Sequence, residues 1–107
     1  MKKTWKVAAT VCLVGLAATP AIAQNNGMDL YQSKCQMCHG RDGTGNTPAG
    51  RAIKAVSFKS PALMKASDAE LITAVRNGKG RMPAYAGKLS EAQIKTAISY
   101  IRKLQHS

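Results

Sequence analysis

The chain has 107 residues and a formal net charge of +11, with 16 lysines and arginines against five acidic residues. This length fits one small domain, whose core buries only a modest part of its surface. The strong positive charge favours an anionic partner, which can be a nucleic acid, an anionic membrane or an acidic protein surface. Aromatic residues make up only 5% of the chain, too few to stack on bases, so we predict no nucleic-acid partner.

The first 23 residues have the pattern of a secretory signal peptide. Three lysines precede an apolar segment over positions 7–18, and Ala21 and Ala23 place small residues where a signal peptidase reads the chain. The apolar segment is shorter than the roughly 20 residues that span a bilayer, which argues against a retained membrane anchor. We therefore predict a signal peptide over 1–23 and a mature periplasmic domain over 24–107, without membrane insertion. Its net charge is +8, since three of the 16 basic residues leave with the signal.

A first helix is predicted from about Gly27 to about His39, because apolar residues and cysteines recur there at helical spacing. The segment 40–50 then contains four glycines and a proline, which predicts irregular structure. A long glycine-rich loop in so small a domain commonly wraps a ligand.

A middle helix is signalled by a capping box, in which Ser67 and Glu70 each bind the other's backbone amide, and Gly78 ends it. A short helical turn is predicted before it, over 61–66. The segment 78–87 contains a proline and three glycines and is predicted to be a loop.

The last helix opens with a second capping box, formed by Ser90 and Gln93. Its apolar residues fall on one stripe, as in a helix that packs on a core; they are Ile94, Ala97, Ile98, Ile101 and Leu104. No segment shows the alternation of a strand. The pattern predicts an all-α fold with long loops.

The strongest chemical signal is Cys35-Gln36-Met37-Cys38-His39, which has the C-x-x-C-H pattern of covalent haem c attachment. Each thiol adds across one vinyl group of the haem, and the two residues between the cysteines match the separation of the vinyls. His39 then lies beneath the ring, where an imidazole nitrogen can bind the iron.

Two other interpretations of the cysteine pair stay open at this point. A thioredoxin-like redox pair requires a strand that leads into a helix, and no strand is predicted before Cys35. A zinc site requires two further ligands, but the mature chain has no other cysteine and its only other histidine is His106. Both patterns therefore fit less well than haem attachment.

The iron's second axial ligand must come from elsewhere in the chain. The candidates are Met28, Met37, Met64, Met82 and His106. Met37 lies inside the attachment segment and cannot cross the ring, and Met64 falls in a predicted helical turn, where a core role is expected. Met82 precedes Pro83 in a loop, and a proline holds the residue before it extended. We favour Met82, since histidine with methionine is a common ligand pair of cytochromes c.

These features together resemble the class I c-type cytochromes, over nearly all of residues 27–107. The family's order is a helix ending in C-x-x-C-H, a loop, a middle helix, a Met-Pro loop and a C-terminal helix. Gly27, Tyr31 and Cys35 match its glycine and aromatic at four-residue steps, and Tyr100 matches the aromatic against which that glycine packs.

The resemblance implies an all-α, cytochrome c-like fold of three to four helices, with long loops wrapped around one covalently bound haem c. The haem is bound by Cys35 and Cys38, and its iron by His39 and Met82. It also implies that a proline carbonyl orients the ligand histidine, and Pro48 is the candidate, although its surroundings depart from the family pattern. The apolar side chains expected around the ring are Tyr31, Leu71, Ile94 and Ile98.

The predicted function is that of a monomeric one-electron carrier between respiratory redox partners, which are an oxidase, a reductase or other cytochromes. It is not an enzyme. Basic residues near the Met82 loop and the attachment segment can steer the protein onto acidic docking surfaces, or can serve solubility alone; they are Arg41, Lys79, Arg81 and Lys88. A ligand-binding or catalytic haem protein, a thiol–disulfide oxidoreductase and a subunit of a larger complex are the alternatives.

Overall fold

The computed structural model describes residues 26–107, so the predicted signal peptide lies outside the described part. Six helices follow in chain order, with no strand among residues 26–107. They are α1 (Gly27–Lys34), α2 (Gln36–His39), α3 (Pro48–Ile53), α4 (Pro61–Lys65), α5 (Asp68–Asn77) and α6 (Glu91–Gln105). The predicted all-α architecture is confirmed; the count exceeds three to four because three of the six helices span six residues or fewer.

The predicted first helix is interrupted at Cys35. This residue leaves helical geometry, with φ −120° and ψ −34°, and separates α1 from α2. Its backbone still connects the two helices, because Cys35 N–H donates to the Tyr31 carbonyl at 2.9 Å and its carbonyl accepts from His39 N–H at 2.9 Å. The kink therefore lies at the first predicted haem-binding cysteine.

The glycine-rich segment is not irregular throughout, which corrects the prediction for its last part. Helix α3 begins at Pro48, where the missing N–H costs no intrahelical bond, and the Thr47 side chain caps it by accepting from Gly50 N–H at 2.8 Å. A Cβ atom at position 50 would overlap the carbonyl oxygens of Cys38 and Gly45. Gly50 is thus a packing residue, which lets α3 lie against α2.

Both predicted capping boxes are present. Ser67 N–H donates to the Glu70 carboxylate at 2.8 Å and Glu70 N–H to the Ser67 hydroxyl at 3.0 Å. The corresponding distances for Ser90 and Gln93 are 2.8 and 3.1 Å. These caps fix the N-terminal ends of α5 and α6.

The core forms where α1 and α5 pack on α6. A Cβ atom on Gly27 would lie 2.8 Å from the Thr96 carbonyl oxygen and 2.9 Å from the Tyr100 Cβ, so only glycine permits this close crossing of α1 and α6. Tyr100 thus lies at this crossing, as the family resemblance implies, and its ring lies 5.3 Å from that of Tyr31. The buried apolar residues are Leu30, Tyr31, Phe58, Leu71, Val75, Leu89, Ile94, Ala97, Ile98 and Ile101. None of the helices within 26–107 has the length and apolar character needed to cross a membrane.

Candidate cofactor site

A cavity of about 300 Å³ lies between the C-x-x-C-H segment, α5, α6 and the loop after α5. Three of the four predicted site residues line it: Cys35, His39 and Met82. Cys38 is half-buried but does not line the cavity. Leu71 and Ile98 line it as predicted, whereas the other two predicted neighbours, Tyr31 and Ile94, are fully buried in the core away from it.

The other candidate ligands do not reach this cavity. Met37 is 77% exposed, Met28 and Met64 are also exposed, and neither they nor His106 line it. Met82 is half-buried and packs against the core. Among the described methionines, Met82 is the one placed to bind a group in the cavity.

The two cysteines of the attachment segment are free thiols. Burial raises the pKa of the Cys35 thiol to about 11, with a further contribution from Cys38. Redox-active cysteine pairs depend on the opposite shift, since the thiolate is the nucleophile. The environment of Cys35 therefore counts against a thiol–disulfide oxidoreductase. Within residues 26–107, no three side chains among His, Cys, Asp and Glu are grouped to hold a metal ion.

His39 is fixed through its backbone and through an aromatic contact. Its carbonyl accepts from Gly45 N–H at 2.7 Å. Its ring stacks on Phe58, with centroids 4.6 Å apart and an interplanar angle of 23°. Burial lowers the pKa of His39, because the imidazolium form loses hydration. The neutral imidazole is the form that can donate a lone pair to a metal.

The expected hydrogen bond from His39 to the Pro48 carbonyl is not formed. His39 Nδ1 is buried and has no hydrogen-bond partner among residues 26–107. Pro48 is the first residue of α3, and helix carbonyls point along the axis towards the C-terminal end. Its carbonyl therefore points along α3 and does not accept from His39.

A tight turn holds Met82 in its loop. Lys79 and Met82 exchange backbone hydrogen bonds of 3.1 and 2.9 Å, and Gly80 takes the left-handed φ of +58° that the turn requires. Gly78, at φ +80°, comes so close to this turn that a Cβ atom there would lie 2.7 Å from the Met82 carbonyl oxygen. The backbone position of Met82 is thus set by its neighbours.

Two side chains attach the Met82 loop to the helices beside the cavity. The Tyr85 hydroxyl donates to the Lys34 carbonyl at the end of α1 at 2.9 Å. The Arg81 guanidinium donates to the Ala52 carbonyl in α3 at 2.9 Å. No local sequence pattern indicates this role of Tyr85, because the hydrogen bond joins residues 51 positions apart.

The charged side chains of Lys and Arg that line the cavity make it basic. Lys54, Lys79 and Arg81 line it, with no acidic side chain among the described lining residues. Lys79 and Arg81 were predicted to lie near the site. Lys54 was not, and it adopts a left-handed φ of +58° at the end of α3. Lys88 lies away from the lining, with its ammonium 5.4 Å from the centre of the Tyr85 ring.

A family model described as cytochrome c oxidase, cbb3-type, subunit III matches residues 23–101. The chain belongs to the class I c-type cytochromes. Cytochrome c6 of Synechococcus sp. is 35% identical over 94 residues, which cover 85% of this cytochrome and 80% of the relative. The cbb3-type cytochrome c oxidase subunit CcoP of Azospirillum brasilense is 29% identical over 92% of this cytochrome, which spans only 34% of that subunit.

Comparison with solved structures also finds a c-type cytochrome. The solved KustC0563 c-type cytochrome superposes with a TM-score of 0.69 and 29% identity, covering 76% of this cytochrome and 99% of that chain. A cytochrome of this family carries one covalently bound haem c. It transfers single electrons between redox partners and is not a catalyst.

The cavity fits a haem c on its own chemistry. It joins a half-buried thiol, an imidazole whose neutral form is favoured and a thioether on a mainly apolar lining, and two free thiols at the C-x-x-C spacing lie on one short segment. A soft sulfur ligand with an imidazole suits iron in a porphyrin. The residues present therefore match the group that the family carries.

Proposed function

We propose that this cytochrome is an exported electron carrier in which Cys35 and Cys38 bind the haem as thioethers, and His39 and Met82 are the two axial ligands. The observation that carries the proposal is the convergence of Cys35, His39 and Met82 on one cavity, although the loop with Met82 lies far from the cysteines in sequence. When bound, the haem supplies a one-electron couple between ferric and ferrous iron.

The two proposed iron ligands and the apolar lining each have a part in this proposal. With His39 and Met82 both bound to the iron, no position would remain for a substrate, and the chemistry would be restricted to outer-sphere electron transfer. The Met82 thioether favours the reduced state. The apolar lining acts in the same direction, because a low dielectric disfavours the extra positive charge of the oxidised state.

The proposed domain boundary and location follow from the N-terminal pattern. The signal peptide spans 1–23 and is removed, which leaves a domain over 24–107 in the periplasm. The family match supports this boundary, because it begins at residue 23. The mature domain acts there as a monomer.

The proposed partners are respiratory proteins with acidic docking surfaces, such as an oxidase, a reductase or another cytochrome. The basic residues of the cavity lining support this proposal, since they place positive charge beside the site. The match to a cbb3-type oxidase family favours an oxidase as one such partner.

Visible spectra of the oxidised and reduced mature protein test the ligand assignment. We expect a sharp α-band in the reduced form and, in the oxidised form, the weak long-wavelength band of methionine-ligated haem. Met82→Ala abolishes the weak band, whereas Met64→Ala, outside the cavity, preserves it. A wild-type spectrum that shifts with carbon monoxide would indicate an open sixth position and refute Met82 ligation, and a colourless protein would refute haem attachment.

The salt dependence of electron transfer to a cbb3-type oxidase tests the docking proposal. Lys54→Glu with Lys79→Glu lowers the rate about tenfold at low ionic strength and flattens its salt dependence, because the steering field is lost. Lys65→Glu with Lys103→Glu changes the net charge equally, away from the cavity lining, and has a smaller effect. Equal effects of the two double variants would exclude docking through this face.

A further inference from the structure

The orientation of the His39 ring has an unusual basis in this structure. A ligand histidine is generally held by a hydrogen bond from its second nitrogen, which fixes the ring plane. Here Nδ1 is buried and has no partner, so no such bond restrains the ring. Since Nδ1 is enclosed by protein, Nε2 is the nitrogen left for the cavity that His39 lines.

Phe58 supplies a restraint of a different kind. Its ring lies face to face with the imidazole, at 4.6 Å between centroids and 23° between planes. Rotation of the imidazole about its bond to Cβ would turn its edge into the phenyl face, so the stack restricts the rotation that the missing hydrogen bond leaves free. Phe58 is the only phenylalanine of the chain and is 7% exposed.

The surroundings of Phe58 keep its ring in place. Its N–H donates to the Gly43 carbonyl at 2.8 Å, and its carbonyl accepts from the Gln105 side-chain amide at 2.9 Å. A Cβ atom on Gly43 would lie 2.6 Å from the phenyl ring, so the absence of a side chain there makes room for it. The Tyr31 ring meets Phe58 edge-on, at 6.2 Å and 64°.

Gln105 is itself held, which makes the support of Phe58 rigid. It is 6% exposed, and its side-chain oxygen accepts from the Arg102 guanidinium at 2.9 Å. Arg102 in turn pairs with Asp68 at 2.8 Å and donates to the Ala66 carbonyl at 2.6 Å. A network in which every member has partners is stiffer than its single bonds.

We propose that Phe58 is the positioning residue of His39, and that stacking on a ring held by Gly43 and Gln105 sets the imidazole plane in place of a hydrogen bond. This inference rests on the proposed function, because it requires His39 to be an axial ligand. Phe58 also lines the cavity, but the role proposed for it is to orient His39.

Proton NMR of the oxidised holoprotein tests this role. The pattern of the haem methyl resonances depends on the direction of the axial imidazole plane, which a purely structural loss of stability does not change. Phe58→Leu, which keeps an apolar side chain but removes the aromatic face, changes the order or spread of these resonances. Phe58→Tyr retains the ring and restores the wild-type pattern. Ile94→Val, a core change away from the cavity lining, lowers stability but leaves the pattern unchanged.

The possible outcomes separate this inference from the proposed function. A low-spin wild-type protein whose methyl pattern is the same in Phe58→Leu would overturn the role of Phe58 and leave His39 ligation intact. A wild-type protein without low-spin haem would instead refute the ligation. If Phe58→Leu fails to assemble, Gln105→Leu is measured instead, since it removes the amide that supports the Phe58 carbonyl, keeps the Phe58 ring and adds no sulfur ligand to the cavity; an unchanged pattern there also overturns the proposal.

Discussion

Substitution of Gly78 by alanine is the most direct perturbation of the Met82 loop. Gly78 has a φ of +80°, and an added Cβ would lie 2.7 Å from the Met82 carbonyl oxygen and 2.9 Å from the Ala84 nitrogen. Both contacts are with backbone atoms, which cannot swing aside as the end of a side chain can. The loop must therefore shift, and Met82 shifts with it.

The expected size of the effect has two contributions. Gly78 combines a φ of +80° with a ψ of 165°, a region that is essentially restricted to glycine and costs an L-residue about 1–3 kcal/mol. Overpacking against neighbours that cannot yield adds about 1–3 kcal/mol. Gly87→Ala is the matched control, because Gly87 has a similar φ of +87° but no atom within 4 Å of the added Cβ. The control carries only the backbone contribution.

Thermal unfolding followed by circular dichroism measures the difference between the two variants. A domain of this size loses about 4–8 °C of Tm for each kcal/mol, so Gly78→Ala should melt at least about 4 °C below Gly87→Ala. The long-wavelength band of methionine ligation should weaken in Gly78→Ala alone. Equal Tm values and equal bands in the two variants would refute the claim that Gly78 positions Met82.

Two further predictions concern the pH response of α5 and the attachment of the Met82 loop to α1. Hydrogen bonds from Ser67 hold the pKa of the Glu70 carboxyl below its ordinary value of 4.5. This contribution to stability is therefore present above about pH 4.5 and is lost as the pH falls through the folded-state pKa. We therefore expect the wild type to be more stable than Glu70→Gln near neutral pH, and the difference between their free energies of unfolding, measured by denaturant titration, to shrink in acid. A difference that does not change with pH would contradict this role of Glu70. Tyr85→Phe removes the hydrogen bond to the Lys34 carbonyl and should lower the free energy of unfolding by about 0.5–1.5 kcal/mol, measured by urea denaturation; an unchanged midpoint would show that the bond contributes nothing.

The features that the sequence predicts correctly are interactions between residues close together in the chain, or features that a family motif carries. The capping boxes at Ser67 and Ser90 involve residues three positions apart, so the pattern contains the whole interaction. The crossing at Gly27 was predicted through the family resemblance and is confirmed by the space that a Cβ would require. Met82, which Pro83 follows in a loop, lines the cavity, and its role as an iron ligand stays a prediction.

The features that the sequence analysis missed depend on contacts between distant residues. Taken alone, the glycine at position 50 indicates irregular structure. In the fold Gly50 is buried against the carbonyl oxygens of Cys38 and Gly45, and its missing side chain lets α3 pack there. Gln105 lies in a helix, and nothing local shows that its amide reaches the Phe58 carbonyl 47 positions away. The family resemblance implies that the Pro48 carbonyl orients His39, but His39 Nδ1 has no hydrogen-bond partner among residues 26–107.

The two proposed iron ligands are held by different amounts of structure. His39 belongs to the same short segment as both cysteines, its carbonyl is hydrogen-bonded to Gly45, and its ring is enclosed against Phe58. Met82 lies in a loop that is held by one turn, by backbone hydrogen bonds from Tyr85 and Ala86 to the end of α5, and by side-chain hydrogen bonds of the exposed Arg81 and the partly exposed Tyr85. Hydrogen bonds that are exposed to solvent break more readily than contacts in a buried core. The iron site should therefore open on the Met82 side first, while the His39 side stays folded.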